Sequence, residues 1–191
     1  MFEIIENHDQ EPLVIKVIGV GGAAGNVIEA MIRKGVSGLD FVVANTDFVA
    51  LGRHIAPSKL ELGKTGLGVG AKPENGQQAA HASRQSIQNS LKGSDLVFLL
   101  AGMGGGTGTG AAPVIAKISR EMDILTVGIA TMPFDFEGGK RMKVAENGVA
   151  EFAKYADSLI TVPQNSIFKA LGEDANVDAC FIAIDDLLAN I

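Results

Sequence analysis

Six glycines fall within the nine residues 102–110, directly after an apolar run of strand length at residues 96–101. Glycine lets the backbone approach a polyanion closely and adopt positive φ, and a helix N-terminus adds a favourable dipole. Residues 111–122 carry apolar side chains at helical spacing, so they are predicted to form a helix. A strand, a glycine loop and a helix in this order predict a phosphate-binding turn.

Another glycine-rich turn, at residues 21–26, lies earlier in the chain, so it is the first glycine loop and residues 102–110 are the second. Residues 14–20 form an apolar run that ends in residues 21–26, three of which are glycines, and Val27, Ile28 and Met31 then recur at helical spacing. In an open parallel sheet the ligand lies beyond the carboxyl ends of the strands, so both loops are expected to face one cleft. Two such loops favour a phosphate-bearing ligand over two ordinary tight turns.

Strand-like and helix-like segments alternate along the whole chain. Apolar runs of strand length lie at residues 41–44, 125–130 and 158–162, and residues 138–155 carry apolar side chains on one helical face. Residues 60–75 are rich in glycine and are predicted to form a loop. Runs that are apolar on both faces, alternating with helices, predict an α/β fold with a Rossmann-like parallel sheet and helices on both of its faces.

Length and charge narrow the classes of function. The chain has 191 residues, of which 47% are hydrophobic, so we predict a flexible segment at residues 1–13 and one domain at residues 14–191. A net charge of -6 without a basic cluster disfavours a nucleic-acid partner. The apolar runs are far shorter than the ~20 residues of a membrane span. The acidic start does not match a secretory signal, so a cytoplasmic location without membrane insertion is expected.

The residues that commonly bind metals are sparse. Cys180 is the only cysteine, which excludes an internal disulfide and a multi-cysteine metal site. His8, His54 and His81 share no spacing, and we interpret all three as surface residues.

Local motifs leave the phosphate ligand open. Residues 19–24 satisfy G-x-G-x-x-A between a strand and a helix, and Asp40 and Asp47 lie about where a dinucleotide site has its ribose contact. Taken alone, this pattern favours a nicotinamide or flavin dinucleotide, but it gives no role to the richer second loop. A P-loop ending at Gly63-Lys64-Thr65 is excluded, because the position five before Gly63 is Ser58 and not glycine.

The second loop also carries a family resemblance. Residues 104–110, Gly-Gly-Gly-Thr-Gly-Thr-Gly, are similar to the tubulin/FtsZ signature, and their flanking residues resemble the FtsZ family specifically. The likeness runs from Ile15 to the end and includes residues 45–47, 134–138 and 157–161. It implies the tubulin/FtsZ nucleotide-binding fold, GTP or GDP with Mg²⁺ as ligands, and a GTPase of cell division. It further implies head-to-tail self-association, with other division proteins as further candidate partners.

The resemblance also implies roles for individual residues. Backbone N–H groups of the two loops and the Thr107 hydroxyl hold the phosphates, Glu137 and Arg141 hold the ribose and neighbouring groups, and Phe181 and Asp185 stack on and read the base. A carboxylate can accept from both N1–H and the 2-amino group of guanine, which adenine does not offer together. Without the resemblance, Glu137 and Arg141 would be an ordinary surface ion pair at the start of a helix, and Phe181 a core residue. The implied nucleotide-binding residues are Gly22, Ala23, Ala24, Gly25, Asn26, Gly105, Gly106, Thr107, Gly108, Glu137, Arg141, Gln164, Phe181 and Asp185.

Several positions depart from the family pattern. Ala23 and Ala24 replace glycines, which keeps the N–H donors but adds Cβ atoms that are costly at positive φ. Lys72 replaces an Asn near the expected γ-phosphate, where it either adds a charge contact or crowds the site. Gln164 replaces a base-contacting Asn and is one methylene longer, while the adjacent Asn165 could substitute only with a register shift.

The resemblance implies that no catalytic residue lies in this chain. In the family, the chain continues through a central helix into a loop whose acidic residues complete hydrolysis on the nucleotide of the neighbouring subunit, and residue 191 falls inside that helix. We therefore expect GTP hydrolysis to be completed in trans, and no metal ligand is assigned. The chain is then a fragment or a shortened relative. Two other functions stay open: a catalytically silent nucleotide-binding or interaction module of the same family, and a dinucleotide-dependent oxidoreductase.

Overall fold

The fold is known from a computed structural model, which describes residues 13–166 and residue 183. In this part of the chain, six parallel strands form one sheet in the order β3-β2-β1-β4-β5-β6. The strands are β1 Ile15–Val20, β2 Asp40–Asn45, β3 Ser58–Glu61, β4 Leu96–Gly102, β5 Leu125–Met132 and β6 Ser158–Pro163. The helices are α1 Gly21–Arg33, α2 Phe48–Arg53, α3 Pro73–Ala82, α4 Arg84–Leu91, α5 Thr107–Glu121 and α6 Gly139–Phe152.

Helices cover both faces of the sheet. Successive residues of β1 point to opposite faces, so Ile18 packs with α3, α4, α5 and α6 in one apolar layer, while Val17 packs with α1 and α2 in the other. Ile115 of α5 and Ile28 of α1 are fully buried in these two layers. Burial of a side chain of this size contributes about 1.5–3 kcal/mol. The predicted α/β Rossmann-like parallel sheet with helices on both faces is confirmed.

The segment predicted to be one loop at residues 60–75 contains parts of two regular elements. Strand β3 extends to Glu61, and α3 begins at Pro73, so irregular backbone covers residues 62–72 only. Only Leu60 is buried in β3 because it is the edge strand, and α3 buries only Gly76 and Ala80. Neither element therefore has a strong apolar pattern in the sequence.

The predicted boundaries at the two ends are not tested. Strand β1 begins at Ile15, while the flexible segment expected at residues 1–13 lies almost entirely outside the described residues. Cys180, Phe181 and Asp185, near the end of the chain, also lie outside them. No helix in the part that the structure describes is long and apolar enough to cross a bilayer.

Candidate functional site

A cleft of about 230 Å³ lies beyond the carboxyl ends of β1, β4 and β5. The two glycine loops, which are 80 residues apart in the sequence, form two of its walls, as the strand order predicts. The loop before α3 and the segment after β5 complete it. The cleft is lined by Val20, Gly21, Gly22, Ala23, Gly70, Gly102, Met103, Gly105, Gly106, Thr107, Gly108, Thr131, Pro133, Glu137, Arg141 and Gln164.

The first glycine loop accepts its two alanines without strain. In the turn that leads into α1, Gly21 has a φ of +83°, while Ala23 and Ala24 have negative φ. The energetic cost that was expected from their Cβ atoms therefore does not arise. Ala23 lines the cleft, whereas Ala24 is buried in the layer beneath α1.

Only the beginning of the predicted first loop faces the cleft. Gly22 and Ala23 line it, whereas Ala24 and Gly25 are buried on the other side of α1. Asn26 is exposed one turn further along, on the same side of the helix as Gly22 and Ala23, but it is not among the lining residues. The carbonyl oxygen of Gly25 lies 2.7 Å from Nε2 of His54.

His54 is not a surface residue, contrary to the sequence interpretation. Its side chain is 10% exposed. Nδ1 accepts a hydrogen bond from Ala56 N at 3.2 Å, which leaves Nε2–H to donate to Gly25 O. His54 thereby ties the first turns of α1 to the segment after α2.

The second glycine loop contributes four predicted residues to the cleft: Gly105, Gly106, Thr107 and Gly108. The loop is held by a hydrogen bond of 2.9 Å from Gly104 N to Oγ1 of Thr109. The hydroxyl of Thr107 lies 2.7 Å from that of Thr46.

The glycines of the two loops have two different functions. A Cβ atom added at Gly22 or Gly105 would meet no atom within 4 Å, so these two positions keep the cleft open. A Cβ atom at Gly106 or Gly108 would instead overlap a backbone carbonyl oxygen, that of Gly70 or of Gly102. Gly106 and Gly108 therefore allow the loop to pack closely against its neighbours. The sequence alone does not distinguish these two glycines from those that keep the cleft open.

Glu137 and Arg141, which were expected to hold the ribose, form an ion pair with each other at the edge of the cleft. Oε2 of Glu137 lies 3.0 Å from Nη1 of Arg141, and Oε1 accepts a hydrogen bond of 2.8 Å from Phe134 N. The two residues were expected at the start of one helix, but Glu137 belongs to a short 3₁₀ turn, and Gly138, with φ +97°, separates it from α6. The aliphatic part of Arg141 packs over Gly104.

Gln164 lines the cleft with an acceptor that has no partner. The residue is 7% exposed, and its Oε1 is buried without a hydrogen-bond partner among the described residues. The adjacent Asn165 uses its Oδ1 to accept a hydrogen bond from Asp135 N at 3.1 Å. Gln164 rather than Asn165 therefore faces the cleft. An unpaired buried acceptor is costly, so a donor on a bound ligand or on another part of the chain would be stabilised at this position.

Three positions singled out from the sequence do not line the cleft. Lys72 precedes α3 as an exposed residue, and it is not among the residues that line the cleft. Asp40, one candidate ribose contact of a dinucleotide site, is at the amino end of β2 and therefore at the opposite edge of the sheet. Asp47, the other candidate, caps α2 by accepting a hydrogen bond from Ala50 N. Neither acid supports a dinucleotide site.

Other cleft residues were not predicted from the sequence. Thr131 and Pro133 follow β5, and Gly70 comes from the loop before α3. The carboxyl-end rule applied to β5 could have identified Thr131. The resemblance already placed the loop of Lys72, which contains Gly70, near the γ-phosphate, but no local pattern pairs Gly70 with Gly106. Phe181 and Asp185, the expected base contacts, lie outside the described residues.

Among the described residues, the cleft contains no group with a resolved pKa shift and no cluster of metal-binding side chains. The resolved pKa shifts belong to exposed groups elsewhere: a hydrogen bond from Arg84 lowers the pKa of Glu121, and a hydrogen bond with Glu151 raises the pKa of Lys154. Within residues 13–166, no three His, Cys, Asp or Glu side chains gather into a group that could hold a metal ion.

Comparison with known proteins identifies relatives over nearly the whole chain. The cell division protein FtsZ of Pseudomonas aeruginosa is 50% identical over 99% of this chain and 48% of its own length. FtsZ of Coxiella burnetii is also 50% identical, over 98% of this chain and 49% of its own length. The chain thus spans about half the length of these curated relatives.

Solved structures agree with this result. An empty FtsZ dimer from M. jannaschii has a TM-score of 0.89 and 38% identity, over 94% of this chain and 53% of its own. CetZ2 from Haloferax volcanii, a GTPγS-bound protofilament, has a TM-score of 0.82 at 24% identity over 93% of this chain and 56% of its own, a likeness of fold alone. A family model described as the Tubulin/FtsZ family, GTPase domain, matches residues 14–172. This chain therefore belongs to the Tubulin/FtsZ family and contains its GTPase domain.

Proposed function

We propose that this chain binds GTP and GDP in the cleft at the ends of β1, β4 and β5, as part of a self-assembling cell-division GTPase. The observation that carries the proposal is the convergence of the predicted residues: nine of the fourteen line this one cleft. They come from four separate parts of the sequence, so their meeting is a property of the fold and not of one local motif.

The phosphates are proposed to lie at the N-termini of α1 and α5. Neither helix has a side-chain cap among the described residues, which is also true of α3, α4 and α6. Helices α1 and α5, however, line the cleft with their first two residues. The first N–H groups of α1 and α5 are therefore available to an anion, and the helix dipoles favour one. Gly22 and Gly105 leave space for phosphate oxygens beside these donors.

The sugar and base are proposed to lie toward Glu137, Arg141 and Gln164. The Glu137 carboxylate can accept from ribose hydroxyls, and Oε1 of Gln164 can accept from an N–H group of the base. Gln164 alone does not select guanine, since adenine also has an amino group. The preference for guanine is assigned to Asp185 by the family resemblance.

Magnesium is proposed to enter with the nucleotide. Mg²⁺ commonly keeps several water ligands and binds substrate phosphates with only one or two carboxylates. A site whose described residues contain no cluster of three metal-binding side chains fits that kind of coordination. The ion would supply charge neutralisation on the phosphates, while the residues of this chain hold and orient the nucleotide.

Hydrolysis is proposed to require a second subunit, and the assembly to act in the cytoplasm. The family resemblance assigns the acids that orient the attacking water to a neighbouring subunit. Exposed apolar side chains beside the cleft support docking there: Leu67 is 89% exposed and Phe136 is 64% exposed. Leu67 is three residues from Gly70, and Phe136 adjoins Glu137, both of which line the cleft. A subunit that covered the nucleotide would also cover these two side chains.

Calorimetric titration of the 191-residue chain with GDP, ATP and NAD tests the proposal. GDP should bind at least ~10-fold more tightly than ATP, because leaving matched donors or acceptors unpaired costs about 1–3 kcal/mol. Gly105→Leu, which fills the cleft, should abolish binding, and Leu125→Ala at the opposite edge of the sheet serves as the surface control. Preferential binding of NAD would favour an oxidoreductase. No binding of any of the three would favour a silent interaction module.

A further inference from the structure

Thr46 is a buried residue that contacts the second glycine loop without lining the cleft. It follows β2, is 3% exposed, and places its Oγ1 2.7 Å from Oγ1 of Thr107. Thr107 is the first residue of α5 and lines the cleft. The hydrogen bond therefore joins Thr107, which is proposed to contact phosphate, to Thr46, which is too buried to contact a ligand.

The backbone fixes the position of Thr46 on both sides. Its N–H donates to Oδ1 of Asn45 at 2.8 Å, and its carbonyl oxygen accepts from Gly68 N at 3.0 Å. The Thr46 hydroxyl therefore projects from a rigid segment, and its only hydrogen-bond partner among the described residues is Thr107.

The number of hydrogens on the two hydroxyls determines which of them donates when a phosphate is bound. Each hydroxyl has one hydrogen to donate, and either of the two can be the donor in the ligand-free pair. When Thr107 donates to a phosphate oxygen, it must accept from Thr46 for their bond to persist. A hydroxyl that accepts a hydrogen bond is polarised into a better donor, and its rotamer is already fixed.

Resting on the nucleotide site proposed above, we propose that Thr46 is a positioning residue for phosphate binding. Its hydroxyl donates to Oγ1 of Thr107, which directs the Thr107 hydrogen toward the phosphate. Thr46 contacts no ligand atom and acts only through Thr107.

Thr46→Val tests the donor with little change in shape. Titration with GDP should show affinity about threefold to tenfold weaker than in the unchanged chain, the usual range for one neutral hydrogen bond. Thr46→Ser keeps the hydroxyl and should bind GDP with nearly the original affinity. Equal affinities of the Val variant and the unchanged chain would overturn the proposal.

A double-mutant cycle separates positioning from a general structural role. In a Thr107→Val background, Thr46→Val should cause no further loss of GDP affinity, because the residue it acts through is gone. An equal loss in both backgrounds would show a structural effect and overturn the proposal.

Thr126→Val provides a matched control. Thr126 forms another buried hydroxyl pair, 2.8 Å from Ser119, near the amino end of β5. This variant should lower the melting temperature without changing GDP affinity, and an equal loss of affinity here would overturn the specific role of Thr46. If the unchanged chain binds no guanine nucleotide, the proposed function fails and this proposal fails with it. Binding that is insensitive to Thr46→Val refutes this proposal alone.

Discussion

Gly108 packs so closely against Gly102 that a Cβ atom at Gly108 would overlap the Gly102 carbonyl oxygen. These two glycines bring the start of α5 against the end of β4. The second glycine loop is therefore part of the packed fold as well as a wall of the cleft, although its sequence suggests only a loop open to ligand.

Alanine substitutions should separate these two roles. Gly108→Ala should lower the free energy of unfolding by about 1–3 kcal/mol, because the backbone must shift to admit the Cβ atom. Gly105→Ala should change it by less than about 1 kcal/mol, since the added Cβ atom meets nothing within 4 Å. Urea denaturation of both variants measures this difference. Similar free energies for the two variants would contradict the packing that the structure shows.

Gln164 should matter for ligand binding more than for folding. Gln164→Leu removes a buried acceptor without a described partner, so the ligand-free chain should be equally stable or more stable. Its GDP affinity should fall about threefold to thirtyfold, because the base loses an acceptor. Gln164→Asn retains the amide and serves as the control. A lower melting temperature of the ligand-free Leu variant would mean that Oε1 already has a partner within the protein.

Arg141 should contribute to nucleotide binding with little effect on stability. Its side chain is 51% exposed, and an exposed ion pair contributes at most about 1 kcal/mol. Arg141→Ala should therefore leave the melting temperature nearly unchanged while weakening GDP binding, as measured by calorimetry. Arg33→Ala removes a comparable ion pair with Glu29, at the end of α1 away from the cleft, and should not affect binding. Equal effects of the two variants on GDP affinity would show that Arg141 does not contribute to nucleotide binding.

A polypeptide of these 191 residues should bind GTP but hydrolyse it negligibly. The family resemblance assigns the water-orienting acids to a segment of a neighbouring subunit, and correct placement of water is worth several powers of ten in rate. Phosphate release measured over a range of protein concentrations tests this expectation. Adding a full-length relative with a disabled nucleotide pocket but an intact acidic loop should restore turnover. Turnover by the chain alone, independent of its concentration, would require a complete catalytic site within one copy.

The strands and glycine loops that surround the cleft are predictable from the sequence, while β3, α3 and α4 are not. The apolar runs that became β1, β4 and β5 are buried on both faces, and this makes them visible. Strand β3 and helices α3 and α4 bury only one or two residues each, so they leave a weak pattern. His54 was misinterpreted for a related reason, because its contact with Gly25 joins residues from separate segments.

The sequence by itself determined the two glycine loops and the order of five strands and three helices, namely β1, β2, β4, β5 and β6 with α1, α5 and α6. It could do so because apolar periodicity and the conformational freedom of glycine are local properties. Only the tertiary structure decided which residues of those loops face the cleft. It turned Ala23 toward the cleft and Ala24 into the core. It also left Oε1 of Gln164 without a partner among the described residues, while Oδ1 of Asn165 accepts a hydrogen bond from Asp135 N. These outcomes depend on how a helix turn or strand end is packed against segments that are distant in the sequence, which no local pattern contains.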